Sequence, residues 1–238
     1  ALRLMKSVLM LLDNDLIRDN RVMRELDVIS KAKNIELHLL CYGYSGKRYD
    51  FSAPNIFIHR IHLPKKVLDA LFIIDRLLPI WTILWSFRIW RLLKNHNCEM
   101  VHAHDLYMIR PLFFLRKFGI KPNIVLDLHE NYPATIQTYG WAKRGWRNFV
   151  FKPSRWKDLE NKYLSIVTYI IVLSEYFRDQ LVDRYSFLKQ SQFIVYPNLP
   201  QVEKYKLVSK VLNTAPPFTF CYLGVLAERR GLYDIMNT

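Results

Sequence analysis

The chain alternates short apolar runs with stretches in which apolar residues recur every three or four positions. Apolar runs of four to eight residues are typical of strands in a parallel sheet, which is covered on both faces. Before residue 199 such runs predict strands at residues 7–12, 35–42, 56–61, 99–105, 123–128, 168–174 and 192–198.

Helical periodicity fills the intervals between these strands. It predicts helices at residues 21–34, 67–96, 106–119, 154–167 and 175–185. The helix at 67–96 is long and apolar, but Pro79 and several charges interrupt it, which does not fit a bilayer-spanning helix. Regular alternation of strand and helix predicts an α/β fold with a doubly wound, Rossmann-like parallel sheet.

The pattern divides the chain into two unequal parts. Residues 1–199 form the first predicted domain, and the charged stretch 200–217, which has prolines near both ends, is predicted to be a linker. A new apolar strand follows at 218–224, and the chain ends at Thr238 within the next helix. We therefore expect residues 218–238 to be the incomplete start of a second domain.

Composition narrows the classes of function. Hydrophobic residues make up 51% of the chain, which supports a sizeable core and excludes disorder. The net charge of +14 favours anionic partners such as a membrane surface, phosphorylated substrates or nucleic acid. We disfavour nucleic acid because the basic residues are spread over many helices. The widely spaced cysteines, Cys41, Cys98 and Cys221, fit buried thiols in the reducing cytoplasm.

Polar residues gather where the predicted strands end. In an open parallel sheet, ligands bind in the crevice beyond the carboxyl ends of the strands. The stretches after residues 12, 103 and 128 therefore provide one candidate site. Its predicted catalytic residues are His129 and Glu130, and its predicted acceptor- or sugar-binding residues are Asp15, Asn20, Arg21, His104, Asp105 and Asn131.

Each candidate has a structural alternative. His102 and His104 alternate in one strand, so both can be packed, hydrogen-bonded histidines. His129 stands at a strand end beside a carboxylate, which favours a functional role, whereas Glu130 can simply cap the following loop. Histidine and cysteine spacing gives no zinc motif, so we predict no metal site.

Tryptophan and basic residues cluster in two stretches, residues 67–96 and 139–157. This composition is typical of segments that dock at a membrane interface. It predicts contact with an anionic membrane, or with a lipid-linked acceptor, on the inner face of the cytoplasmic membrane. The alternative for 67–96 is that its apolar face packs on the sheet. The predicted contact residues are Trp141, Lys143, Arg144, Trp146 and Arg147.

Six motifs together resemble the GT-B glycosyltransferases of family 4, which build bacterial polysaccharides. They are "DNRVMRE", "VHAHD", "LDLHENYP", "VLSEYFRDQL", "VYPNLP" and "FCYLGVLAERRGL", in this order along the chain. The resemblance implies two Rossmann-like domains, the first for a saccharide or lipid-linked acceptor and the second for a nucleotide-sugar. It also implies retaining, metal-independent transfer with no cofactor besides the nucleotide-sugar co-substrate.

The resemblance also assigns roles to residues. His129 matches the histidine that lies near the reacting sugar, Arg230 matches the basic residue at the diphosphate, and Asn198 matches the asparagine that ends the first domain. Independently, Gly224 at a strand end permits close backbone approach, and Arg229 and Arg230 before a helix suit a diphosphate.

The chain departs from the family pattern in three places. The first loop lacks a glycine pair, Val225 replaces an arginine, and the paired glutamates that hold the donor sugar are expected beyond Thr238. We therefore expect this fragment to bind nucleotide-sugar poorly and to be inactive alone. The alternative function is a non-catalytic acceptor-binding module that works with a separate donor domain. Hydrolysis is disfavoured because the sequence shows no carboxylate pair at helical or strand spacing. Separately, an unfinished second domain would favour the formation of oligomers.

Overall fold

The computed structural model describes residues 6–17, 19–44, 51–75, 77–135 and 153–199. Within these ranges seven parallel strands form one sheet in the order β3-β2-β1-β4-β5-β6-β7. The expected linker at 200–217 and second domain at 218–238 lie outside the described residues. The strands are β1 Lys6–Leu11, β2 Ile35–Tyr42, β3 Ile56–Ile61, β4 Met100–His104, β5 Asn123–Asp127, β6 Tyr169–Val172 and β7 Phe193–Val195.

Helices cover both faces of this sheet, as the alternating pattern predicted. Two short 3₁₀ turns, at Leu106–Met108 and Gln190–Gln192, accompany them. The helices are α1 Asn20–Ser30, α2 Lys65–Ile74, α3 Ile80–Asn95, α4 Ile109–Arg116, α5 Tyr132–Thr135, α6 Pro153–Leu164 and α7 Glu175–Arg184.

The core lies in two layers because successive strand residues point to opposite faces. Met10 and Leu39 belong to the cluster on the α1 face, whereas Leu11, Leu40 and Trp85 belong to the larger cluster on the other face. The doubly wound, Rossmann-like α/β fold predicted from the sequence is therefore confirmed for the described residues.

The strand order reverses between β1 and β4. From β1 the chain proceeds outward through β2 and β3, and it then returns to β4 and proceeds the other way to β7. Leu11 is paired with Ala103, and His104 with Asp127, so the tips of β1, β4 and β5 are neighbours. Ligands bind at such a switch point in open α/β sheets.

The helical segment predicted at 67–96, with its interruption at Pro79, is two helices, α2 and α3, and α3 begins directly after Pro79. Asp75 ends α2, and its carboxylate accepts hydrogen bonds from Thr82 N and Thr82 Oγ1 at 2.8 and 2.6 Å. Arg110 Nη1 lies 2.8 Å from the same carboxylate. This buried polar junction stabilises the break that the proline predicted. Across the described ranges no helix is both long and apolar enough to cross a membrane.

The two faces of α3 have different surroundings. Trp81 and Trp85 are buried, and both indole N–H groups donate to Tyr42 Oη, at 2.8 and 3.0 Å. The inner face thus packs on the sheet, in agreement with the structural alternative for 67–96. The outer face keeps Phe87 and Trp90 in contact with solvent, at 53% and 39% exposure.

Candidate functional site

A cavity of about 430 Å³ opens at the carboxyl ends of the central strands. Five segments meet there: the loop after β1 with the start of α1, and the residues that follow β2, β5, β6 and β7. The cavity therefore occupies the switch point where the strand order reverses. Its described lining residues are Asn14, Asp15, Asp19, Asn20, Arg21, Tyr44, His129, Leu173 and Asn198.

The loop after β1 is held by its own side chains. Asn14 Oδ1 accepts from the backbone N–H of Leu16 at 2.7 Å, and Leu16 adopts a positive φ of 70°. Asn14 Nδ2 donates to Asp19, and Asp19 accepts from the N–H of Val22 as the N-cap of α1. This loop directs the N-terminus of α1 at the cavity, where Asp15 and Asn20 lie as predicted.

Arg21 forms a buried ion pair beneath the cavity. Its Nε and Nη2 donate to the two carboxylate oxygens of Asp127 at 2.6 and 2.8 Å, and its Nη1 donates to Tyr196 O at 2.9 Å. Arg21 is 4% exposed and Asp127 is fully buried. We predicted an acceptor contact for Arg21, but the structure directs its guanidinium at the protein, where it joins α1 to β5 and β7.

His129 follows β5 and stands between this ion pair and the cavity. Its Nε2 lies 3.0 Å from His104 Nδ1 and 3.4 Å from Asp127 Oδ2. Burial lowers the pKa of His129, but the Asp127 contact and the nearby Asp105 carboxyl outweigh burial and raise the pKa to about 9. The ring is therefore an imidazolium at neutral pH, with Nε2 facing His104 and Asp127, and His129 lines the cavity.

Behind His129 lies a buried polar network. His104 Nε2 and His102 Nδ1 lie 3.5 and 3.8 Å from Glu25 Oε2. Burial lowers the pKa of His102 to about 4 and that of His104 well below its usual range. Burial and the charge of Asp127 raise the pKa of Glu25 to about 8. At neutral pH these three groups are uncharged, so His129 and the Arg21 pair hold the local charge.

His104 was predicted to contact the acceptor directly. Its ring is fully buried, so it reaches the cavity only through its hydrogen bond to His129. We therefore reassign His104 to the positioning of His129. The sequence left open whether His104 is a packed, hydrogen-bonded histidine or a direct contact of the acceptor. Its full burial favours the packed, hydrogen-bonded histidine.

Asp105 and its neighbours lie at the edge of this site. Asp105 has a φ of 70° and a ψ of 146°, a strained conformation for a residue with a side chain. Burial raises the pKa of its carboxyl to about 7, and its N–H donates to Asp127 O at 2.9 Å. Glu130 and Asn131 are half-buried and follow His129 directly, but neither is among the described residues that line the cavity.

Sequence reasoning missed two carboxylates that organise the site. Asp127 sits at the end of the apolar strand "NIVLD", where a buried charge requires a partner, and this was the available signal. Glu25 lies four residues after Arg21 on the inner face of α1, with 3.8 Å between Arg21 Nε and Glu25 Oε1. Neither residue reveals its partner in the sequence because those partners are remote or depend on helix orientation.

Asn198, predicted to lie between the domains, lines the cavity, and its side-chain oxygen accepts from Arg24. Arg24 also donates to Leu199 O, so the segment after β7 is hydrogen-bonded to α1. The other predicted contacts lie outside the described residues. They are Gly224, Arg229 and Arg230 for the diphosphate, and Trp141, Lys143, Arg144, Trp146 and Arg147 for the membrane.

Within the part of the chain that the structure describes, two sets of side chains bring metal-ligating atoms within 4.8 Å of one another, although no spacing motif indicated either. One set, Glu25, His102, His104 and Asp127, belongs to the network behind His129. Arg21 already occupies both oxygens of Asp127, so a metal ion would have to displace a guanidinium. We interpret this set as a proton-holding network. The other set lies elsewhere in the fold.

A family model described as Glycosyltransferase Family 4 matches residues 21–199 of this chain. No curated protein matches its sequence. The matched range contains every described residue of the cavity except the loop before Arg21.

Solved structures share the fold at low sequence identity. Sucrose-phosphate synthase from Thermosynechococcus elongatus matches with a TM-score of 0.58 and 12% identity, over 86% of this chain and 51% of its own. UGT71G1 from Medicago truncatula, complexed with UDP-glucose, has a TM-score of 0.55 and 11% identity, with 88% and 55% covered.

A third structure, described as trehalose-6-phosphate from E. coli bound with UDP-2-fluoro glucose, has a TM-score of 0.53 and 12% identity, with 84% and 50% covered. The chain thus spans about half the length of the structures that it matches. These likenesses support the fold.

Proposed function

The chain belongs to glycosyltransferase family 4, and on this premise we propose that it takes part in moving a sugar from a nucleotide-sugar donor to a saccharide or lipid-linked acceptor. Its acceptor would bind in the cavity at the switch point of the sheet. We further propose that the product is a bacterial polysaccharide and that transfer retains the configuration of the sugar.

The observation that carries this proposal is the imidazolium of His129 at the cavity wall. Cleavage of a sugar–diphosphate bond builds positive charge on the sugar carbon and negative charge on the leaving diphosphate. A cationic N–H donor stabilises the oxygen on which negative charge develops. Because the pKa of His129 is about 9, the ring is protonated at neutral pH and acts as a donor. A general base would have to be unprotonated at neutral pH, so the role proposed for His129 is that of a hydrogen-bond donor.

The remaining walls suit an acceptor rich in hydroxyl groups. Asp15 and Asn20 bring a carboxylate, an amide and the start of α1 to the cavity, and Tyr44 adds an aromatic ring. Polar groups of this kind fix the orientation of a small ligand in a pocket of several hundred Å³. We propose that Glu130 and Asn131 reach the acceptor when the second domain closes over the site.

The donor half is proposed to begin within residues 218–238, after the linker 200–217. Gly224, Arg229 and Arg230 would hold the diphosphate, with Asn198 at the junction of the domains. Two structures of similar fold contain UDP-sugars, which is in keeping with a donor of this class.

Residue His129 provides the decisive test, in a form of the protein that transfers sugar. We expect His129→Gln to lower kcat by about 10²- to 10³-fold, the usual loss when one charge-stabilising donor is removed. His62→Gln is the matched control because His62 is exposed and is not among the described cavity residues.

Sugar transfer and saccharide binding are measured on the same preparations. Full activity of His129→Gln would disprove the proposed role, whereas saccharide binding without any transfer by the wild type would favour the non-catalytic module. Purified residues 1–238 are expected to show no turnover.

We also propose that the protein attaches to the inner face of the cytoplasmic membrane. The outer face of α3 exposes Ile83, Phe87 and Trp90, and these side chains line an apolar groove of about 310 Å³ together with Phe118. Lys94 Nζ lies 5.8 Å from the centre of the Trp90 ring, so a cation accompanies the apolar surface. Aromatic and basic groups in this combination suit an anionic lipid surface.

Co-sedimentation with anionic liposomes at low salt tests this attachment. The double variant Phe87→Ser, Trp90→Ser is expected to reduce the bound fraction by about tenfold, since each side chain adds apolar area to the contact. Val28→Ser, which removes an exposed apolar residue from α1, is expected to change nothing. Absence of wild-type binding to anionic vesicles would rule out the attachment.

A further inference from the structure

Three histidines meet on the α3 face of the sheet, away from the cavity. His38 belongs to β2, His59 to β3, and His96 to the turn between α3 and β4. The strand register places His38 beside Leu9 and His59 beside Leu40, level with Val101 and Ala103 of β4. The sheet itself separates this cluster from the catalytic region, because His102 lies beside Met10 on the α1 face, whereas His38 shares the α3 face with Leu40.

The three rings are close enough to share one ion. Each offers one ring nitrogen, and these atoms all lie within 4.8 Å of one another. His38 Nδ1 and His59 Nε2 are 3.0 Å apart, while the His38 and His96 rings are stacked with centroids 3.8 Å apart. Nitrogen ligands around zinc lie about 2.0–2.1 Å from the metal, so their mutual distances are slightly over 3 Å.

A carboxylate fixes the orientation of the most buried ring. Glu36 Oε1 lies 2.8 Å from His38 Nε2, and the His38 side chain is 2% exposed. A proton on Nε2 donates to this carboxylate and leaves the lone pair of Nδ1 directed at His59. Histidine ligands of metals are usually held in this way, with the second ring nitrogen donating to a carboxylate or carbonyl.

We propose that His38, His59 and His96 form a binding site for a divalent transition-metal cation of the zinc class, with Glu36 as the group that orients His38. Imidazole is a preferred ligand of such cations. The ring of His96 has to tilt away from its stack on His38 to direct a nitrogen at the ion. A bound ion would connect β2, the edge strand β3 and the end of α3, so its expected effect is on stability.

The charged groups around the ligands are favourable. In contrast with the set behind His129, no guanidinium is hydrogen-bonded to Glu36 in the described contacts.

The test uses the full chain, freed of metal with a chelator, and ZnCl₂ as the probe. Isothermal titration at pH 7 is expected to show one Zn²⁺ per chain, with a rise in Tm at saturating Zn²⁺. His59→Ala and His96→Ala are expected to weaken binding by at least about tenfold. Both side chains are only partly buried, which limits the cost to folding. His62→Ala, at an exposed histidine, is the matched control.

A second comparison guards against unfolding of a variant. Glu36→Gln keeps the hydrogen bond to His38 but removes the charge, and it is expected to weaken Zn²⁺ binding by several-fold while the protein remains folded by circular dichroism. Loss of binding in His102→Ala, with binding retained in His59→Ala, would place the ion behind His129 and overturn the proposal. No saturable binding by the wild type, or equal binding by all variants, would also overturn it and leave a hydrogen-bonded histidine cluster only.

Discussion

The two faces of the sheet each gather three histidines, but the two groups differ in charge. Around His129 lie the buried carboxyl groups of Asp127 and Asp105, and its pKa is raised to about 9. Around His59 the nearest ionisable groups are other histidines, and its pKa is lowered to about 4. The same side chain is thus a cation on the α1 face and a neutral ring on the α3 face.

The comparison teaches that neighbouring charge, more than residue type, decides what a histidine cluster can do. Burial acts on His129 and His59 in the same direction, toward the neutral ring. The Asp127 contact, together with the nearby Asp105 carboxyl, reverses this effect at His129. A charge-stabilising site and a metal-binding site can therefore be built from the same residue within one domain.

The largest effect is expected from removing the carboxylate charge of Asp127, which distinguishes the cluster around His129 from the cluster around His38. Asp127→Asn leaves the buried guanidinium of Arg21 without its main partner and should destabilise the protein by about 3 kcal/mol or more. Glu25, 3.8 Å from Arg21 Nε, offsets part of this loss by ionising. Urea unfolding at pH 7 measures the change. A loss below about 1 kcal/mol in the free energy of unfolding would show that the Arg21–Asp127 ion pair does not stabilise the region around His129.

An intermediate effect is expected at Glu25, and it depends on pH. The folded-state pKa of about 8 lies above the ordinary value of 4.5, so the folded protein holds an extra proton between these values. Stability therefore falls as the pH rises through this window, and the loss is complete above pH 8. Glu25→Gln removes the ionisation and should be more stable than wild type by about 2 kcal/mol at pH 8.5.

Urea unfolding of both proteins at pH 5 and pH 8.5 gives this difference directly. His129 contributes equally to the two proteins, because it remains protonated until the pH approaches about 9. Parallel stability curves for wild type and Glu25→Gln would mean that Glu25 is already ionised in the folded protein at neutral pH.

The smallest effect is expected at Glu36, beside the histidine cluster on the α3 face. In metal-free protein, Glu36→Gln should cost less than about 1 kcal/mol, because Glu36 is 31% exposed and the amide oxygen still accepts from His38. Urea unfolding alongside Asp127→Asn makes the two carboxylates directly comparable. Equal losses for both variants would remove the distinction drawn here between the two clusters.

Local patterns in the sequence were sufficient for most of the fold. The apolar runs predicted β2 and β3 with their observed bounds, since side-chain alternation is a property of neighbouring residues. The junction at Asp75 was not predictable, because its partners Thr82 and Arg110 are brought to it by packing. The break itself was indicated by Pro79, directly before the start of α3.

The location of the candidate site was predictable from the sequence, but the orientation of its side chains was not. His129, Asp15 and Asn20 were found from their positions after strands, because parallel strands end at a common edge. The direction in which a side chain such as Arg21 points is set by tertiary neighbours. The internal ion pair of Arg21 was therefore not predictable, and the acceptor contact of Arg21, which also lines the cavity, stays a prediction.

The sequence by itself determined the alternation of strands and helices and the edge of the sheet at which polar residues collect. Only the tertiary structure decided that Arg21 pairs with Asp127, 106 residues away, and that three separate histidines meet around His38. The physical reason is that periodicity is a local property. The charge on a ring and the ligands around an ion depend on burial and on atoms contributed by distant parts of the chain.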